Sequence, residues 1–333
     1  MPVFLFPGQG AQFPGMGIDL YDADPHNQAG VRTLFDRASD VWGSDITSLL
    51  CSDAEILKRT DASQLAITVV SLAAAKVLAW RGVTPTACAG FSLGEYPALC
   101  LAGVLGEEET LRLVVERGRI MQQAVDAMAS TAANSGRGPG MTAVLGLSPE
   151  RVDEVLESRA SDAETISARA VWGANYNSPV QTVISGTGEG LAQAEEALKA
   201  AGARRCIALK VAGPFHSPLM AEAGAQFAAA LEPFTFRDPV LPLFSNVTGS
   251  RVYSGAEAKK NAVQHISSPV RWTAEEAALA SLIENQSGGS SNGSSDLVEC
   301  GPGRVLTGLW ADSKLAGTCV PWGELLGAPI PGA

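Results

Sequence analysis

A chain of 333 residues in which 46% are hydrophobic and 18% charged can bury a sizeable core, which excludes wholesale disorder. A formal net charge of −11 excludes nucleic acid and anionic membrane as default partners, because both reward clustered Lys and Arg. The six cysteines never fall in a metal-ligand spacing, so no metal is expected. The three histidines, His26, His216 and His265, keep the search for a general base short.

Val3 to Phe6 reads as a first strand, too short and too poor in basic flanking residues for a signal peptide. No stretch reads as the uninterrupted apolar length of a bilayer span, so no membrane role is expected and the expected location is the cytoplasm. Pro7-Gly8-Gln9-Gly10 follows as a glycine-rich loop whose free N–H groups either face an anion or lie in a tight surface turn. The glycine spacing is not that of a dinucleotide fingerprint, and no phosphate-binding lysine follows. Residues 20 to 60 read as short helices and loops on the surface, with His26 solvated. Ala62 to Arg81 reads as a helix that is apolar nearly all round and therefore buried.

The strand of small residues Ala87, Cys88 and Ala89 leads into Gly90-Phe91-Ser92-Leu93-Gly94-Glu95. This is the Gly-x-Ser-x-Gly pattern of a nucleophile elbow, whose glycines let strand and helix approach closely. Ser92 is then either a nucleophile at a helix N-terminus or an ordinary helix cap. Pro97 falls in the helix that follows, where its ring threatens the Leu93 carbonyl, so a bent or tightened first turn is expected. From Glu107 to about Ala129 another helix is expected, acidic at its start as the helix dipole favours. Arg112 and Arg119 have glutamates three or four residues away. Arg117 has only Leu113, Val114, Ile120 and Met121 at those positions, so its charge either finds an anion elsewhere or snorkels to water.

Ala129 to Gly140 has the composition of a flexible linker. Beyond it the segments 141–147, 149–159, 171–175, 180–185, 189–201 and 204–211 read as strand, helix, strand, strand, helix and strand. That order is the split arrangement of a ferredoxin-like unit, here inserted into a larger domain. The chain returns through Gly213-Pro214-Phe215-His216-Ser217-Pro218. A histidine between strand end and helix either faces a site on that sheet edge or packs as a cap. A strand at 241–246, a Gly- and Ser-rich surface loop at 285–296, a last strand at 297–300, a closing helix and a Pro- and Gly-rich tail complete the reading.

In order along the chain, Pro7-Gly8-Gln9-Gly10, Gly90 to Glu95, Glu116-Arg117-Gly118 with Met121-Gln122, Asn175-Tyr176-Asn177-Ser178-Pro179, Gly213 to Ser217, Ser245-Asn246-Val247-Thr248-Gly249 and Glu299-Cys300-Gly301-Pro302-Gly303 resemble the malonyl-CoA:acyl carrier protein transacylases and the acyltransferase domains of polyketide synthases. The resemblance implies an α/β class fold: an α/β-hydrolase-like large domain over 1–137 and 211–333, with the ferredoxin-like small domain at 138–210. It implies Ser92 as nucleophile and His216 as general base. The backbone N–H groups of Gln9 and Leu93 would form the oxyanion hole, and Arg117 would hold the malonyl carboxylate. The Gln264 carbonyl would orient His216, and Phe215 would select against a 2-methyl branch. The implied substrates are malonyl-CoA, a CoA thioester, and the phosphopantetheine of an acyl carrier protein, with no bound cofactor and a monomeric state. Ser92 would carry the malonyl group in a ping-pong cycle. A free-standing acyltransferase of polyketide synthesis shares these residues, and a serine acyl hydrolase shares Ser92 and His216 without needing Arg117. Relatives usually carry histidine at the position of Phe91, and Pro97 is also a departure.

Overall fold

The computed structural model describes residues 1–132, 137–162, 170–209, 211, 213–287 and 296–326. Its strands in chain order are β1 (Val3–Phe6), β2 (Ala87–Gly90), β3 (Gly140–Leu145), β4 (Val171–Ser178), β5 (Gln181–Gly186), β6 (Arg205–Ala208), β7 (Leu243–Ser245), β8 (Ser250–Val252), β9 (Leu297–Glu299) and β10 (Cys319–Pro321). The larger sheet has the order β10-β9-β1-β2-β7-β8, parallel except for β8. β1 and β2 are buried along their whole length. Parallel strands covered on both faces need such unbroken runs of apolar or small residues.

The Thr60–Trp80 helix packs into the main core, as its apolar circumference predicts; what it corrects is the expectation that no stretch has the apolar length of a bilayer span. By length and composition it passes for a membrane span, with a mean hydropathy of 1.6 over its best window. Yet 89% of that window is buried inside this protein, so the apolar circumference faces other helices and the sheet. The stretch 20–60 is likewise less superficial than its polarity suggests. Leu20, Leu34, Phe35, Ile46 and Leu50 join the same core, while Asp45 and Asp53 cap two of its short helices through side-chain carboxylates. His26 is exposed, as expected.

The smaller sheet has the order β4-β5-β3-β6 and is antiparallel throughout. Its helices Pro149–Asp162 and Gly188–Ala200 pack with Val144, Ile184, Leu191 and Leu198 into a separate apolar cluster. Alternation along the strands sends Met141, Ala143, Ala174 and Val183 into the main core instead. The two sheets are therefore not independent beads. An isolated backbone bridge also ties β4 to the segment that leads into the Trp272–Ser287 helix: Val270 donates to the Ala174 carbonyl (2.8 Å) and Tyr176 donates to the Val270 carbonyl (2.9 Å).

Several boundaries differ from the sequence reading. The helix expected to end near Ala129 runs from Glu107 to Ala132, and the rest of the expected linker lies partly outside the described residues. β6 spans Arg205–Ala208 only, and residues 210 and 212 lie outside the description. The loop expected at 285–296 begins as the end of the Trp272–Ser287 helix, and residues 288–295 are not described. The strand at 297–300, read as the last, is followed by another, Cys319–Pro321, which adds an edge strand to the larger sheet.

Candidate active site

The elbow forms because two backbone approaches leave no room for side chains. A Cβ on Gly90 would lie 1.9 Å from the Gly94 carbonyl oxygen, and one on Gly94 would lie 2.0 Å from that of Phe6. Only glycine permits either contact, which fixes the two positions flanking Ser92. Ser92 itself has a φ of 50°, in the left-handed region that a serine occupies only when its surroundings impose it. Ser92–Gly94 is a single 3-10 turn, and the α-helix proper starts at Glu95. Pro97 thus falls in the first α-helical turn, where a missing N–H forfeits no intrahelical bond. The tightened turn is the accommodation that its ring requires.

His216 also has a positive φ, 57°, and its Nε2 lies 2.8 Å from Ser92 Oγ. Its Nδ1 faces two carbonyl oxygens, those of His265 (3.0 Å) and Ser268 (3.1 Å). Carbonyls only accept, so Nδ1 carries the proton and Nε2 presents a lone pair to the serine hydroxyl. Burial, reinforced by the charge of Arg117, pulls the imidazole pKa down to about 4, and the two carbonyls oppose the shift. The ring is therefore neutral near pH 7.

The expectation for Gln264 is corrected here. Its carbonyl accepts from the N–H groups of Ser267 (3.2 Å) and Ser268 (2.9 Å), closing the end of the Gly255–Gln264 helix. The carbonyl that reaches His216 belongs to the next residue, His265. A backbone acceptor has no side-chain signature, and its position relative to the helix end decides which carbonyl is free.

Arg117 projects from the Glu107–Ala132 helix and is only 1% exposed. Its Nη1 donates to Gln64 Oε1 at 2.8 Å, while Nε and Nη2 have no partner among the described residues. The guanidinium lies 5.1 Å from the centroid of the Tyr96 ring. Burial pushes its pKa down, and the nearby Tyr96 and Glu95 side chains oppose the shift without overcoming it. Arg117, Ser92 and His216 line one cavity of about 200 Å³, together with Gln9, Leu93 and Phe215. Among the described residues, the N–H groups of Gln9 and Leu93 have no partner outside their own segments. Phe91 packs edge-on against Trp272, with ring centroids 5.4 Å apart.

Some residues around the site carry no role in the sequence reading. Asn177 lines the cavity, and its side-chain oxygen has no partner. Asn246, Glu95, Glu275 and His265 are all buried close to the elbow. Polar side chains in otherwise apolar segments are the signal that marks them, since burial of such groups demands a partner.

An α/β protein that brings an elbow serine within hydrogen-bond reach of a histidine belongs to the serine enzymes that transfer or hydrolyse acyl groups. The chain belongs to the acyl transferase family: residues 3–287 match the acyl transferase domain. The malonyl CoA-acyl carrier protein transacylase of Bacillus subtilis (strain 168) is 38% identical over 307 residues, 92% of this chain and 88% of that protein. A malonyl-transacylase solved in complex with its type II polyketide synthase acyl-carrier protein superposes with a TM-score of 0.81 at 36% identity, covering 96% of this chain and 94% of that one. The corresponding transacylase of Streptococcus pneumoniae gives a TM-score of 0.81 at 34% identity, with 96% and 95% covered.

Proposed function

We propose that this protein transfers a malonyl group from malonyl-CoA to the phosphopantetheine thiol of an acyl carrier protein, through an O-malonyl ester on Ser92. The observation that carries the reading is the buried guanidinium of Arg117, with two donors unpartnered, in the same cavity as the Ser92–His216 pair. A cation in that position suits an acyl group that ends in a carboxylate, which two parallel N–H donors bind as a fork.

His216 Nε2 takes the Ser92 proton as Oγ attacks the thioester carbonyl. The N–H groups of Gln9 and Leu93 are assigned to the oxyanion. Collapse of the tetrahedral intermediate breaks the C–S bond, and the departing CoA sulfur receives the proton from Nε2. The carrier-protein thiol then gives its proton to His216 and attacks the ester, and His216 passes that proton to Ser92 Oγ as the acyl C–O bond breaks. The carbonyls of His265 and Ser268 hold the imidazole in the required tautomer throughout.

In this reading residues 1–137 and 211–333 form an α/β-hydrolase-like domain. Residues 138–210 form an inserted ferredoxin-like domain, supported by the order β4-β5-β3-β6, which is second, third, first, fourth within the insert. The protein acts as a cytoplasmic monomer without a bound cofactor or metal. A second reading, service to a polyketide carrier protein, is supported by the relative solved with its type II polyketide synthase carrier.

The test is to incubate the protein with malonyl-CoA alone, record the intact mass and map the adduct. A malonyl ester on Ser92 that an acyl carrier protein discharges faster than water does is the expected result. CoA release without an adduct would replace transfer by hydrolysis. Discharge by fatty acid and polyketide carriers, compared side by side, separates the two pathways.

Two further results follow from the site. His216 must be neutral to accept the proton, so activity falls as pH drops through its pKa. The acid limb of kcat/KM is expected near pH 4, with a plateau through neutrality. A midpoint near 6.5 would mean that the base is a solvated histidine. Phe215 lines the cavity and is 5% exposed, so Phe215→Ser is expected to raise the methylmalonyl-to-malonyl ratio of kcat/KM by roughly tenfold or more, the range that one carbon of pocket volume commands. An unchanged ratio would remove Phe215 from selectivity.

A further inference from the structure

β2 and β7 pair at Cys88 and Leu243, and the ladder stops before the elbow turns. Past that point the Gly90 carbonyl and the Ser92 N–H still need partners, since both lie at the buried end of the strand. A single side chain supplies them. Asn246, fully buried one residue beyond β7, donates from Nδ2 to the Gly90 carbonyl (2.5 Å) and accepts at Oδ1 from the Ser92 N–H (2.5 Å). Because a carbonyl only accepts and an N–H only donates, the amide has one permitted orientation. Its remaining capacity is also used: Nδ2 donates to Glu275 Oε2 (2.8 Å), and Oδ1 lies 3.3 Å from His265 Nε2. The Asn246 backbone N–H donates to Glu95 Oε2 (2.8 Å), at the first residue of the helix that follows the elbow.

We propose that Asn246 is the positioning residue of the nucleophile: its amide replaces the missing strand partner and clamps Gly90 and Ser92, holding Ser92 in its left-handed conformation with Oγ on His216. Glu275 anchors the amide from one side. His265 links it to the other half of the pair, since the side chain of His265 meets Asn246 while its carbonyl meets His216 Nδ1. Asn246 touches no reacting atom and does not line the cavity, so its removal affects the placement of Ser92 and leaves substrate binding alone. The inference rests on the reading of Ser92 as the acyl carrier.

The experiment is single-turnover acylation by malonyl-CoA, followed by intact mass in quenched flow, alongside malonyl-CoA affinity and thermal unfolding. Asn246→Ala is expected to slow acylation on the order of 100-fold at unchanged affinity, the scale of a misplaced reacting group. Glu275→Leu, which removes the anchor, slows it on the order of tenfold, and Glu275→Gln, which keeps an acceptor for Nδ2, regains most of that loss. Should Asn246→Ala fail to fold, the Glu275 pair carries the test. Folded Asn246→Ala or Glu275→Leu acylating at the wild-type rate overturns the proposal, as does affinity falling in step with rate. If the wild type itself gains no adduct on Ser92, the functional reading has failed first, which is a distinct result.

Discussion

Ser92→Ala is expected to abolish the malonyl adduct and to reduce transfer to the carrier protein by roughly 10⁴-fold or more, the scale seen when a serine nucleophile is removed. The reason is covalent. Among the described residues, Ser92 alone places a hydroxyl within hydrogen-bond reach of His216 Nε2, so no substitute carries the acyl group. The fold is expected to survive, because alanine inherits the same φ of 50° and the Ser92 N–H still meets Asn246. Intact mass and peptide mapping check this directly. An adduct persisting on another residue would overturn the nucleophile assignment.

Arg117→Ala is expected to lower kcat/KM for malonyl-CoA by about 100- to 1000-fold while leaving acetyl-CoA unchanged or improved. Truncating one partner of a desolvated charge pair costs about 2–5 kcal/mol, and a guanidinium that is 1% exposed with two unpartnered donors meets that condition once a carboxylate is bound. For an uncharged acyl group the same cation is only a burden, since it gains no carboxylate while Met121, Met141 and Phe215 line the same cavity. Stability should move in the opposite direction to malonyl activity. An unbalanced buried charge weakens the ligand-free fold, so the variant is expected to unfold at a higher temperature. Equal losses for both thioesters, with a lower unfolding temperature, would show that Arg117 supports the fold and does not read the carboxylate.

Much of this was legible before any coordinates. The glycines at 90 and 94 announce a close approach, and the backbone distances there show why nothing larger fits. Arg117 has no acid three or four residues away along its helix, and its Nε and Nη2 find no partner among the described residues. The strand and helix order of residues 140–208 follows from local periodicity, which is a property of neighbouring residues. Local pattern misjudged the short helices ahead of Thr60–Trp80, which pack into the main core instead of lying on the surface. Hydropathy does not say whether an apolar surface meets lipid, protein or water.

The sequence by itself determined the elements, the elbow and the identity of the residues able to do acyl chemistry, because each depends on side-chain types at short spacing. Tertiary structure alone decided that the carbonyls of His265 and Ser268, and not that of Gln264, fix the His216 tautomer, since the end of a helix occupies the Gln264 carbonyl. It alone also decided that Asn246, 154 residues from Ser92 along the chain, completes the elbow. A buried polar group is satisfied by whatever the fold brings beside it, and that choice is settled by packing between distant segments.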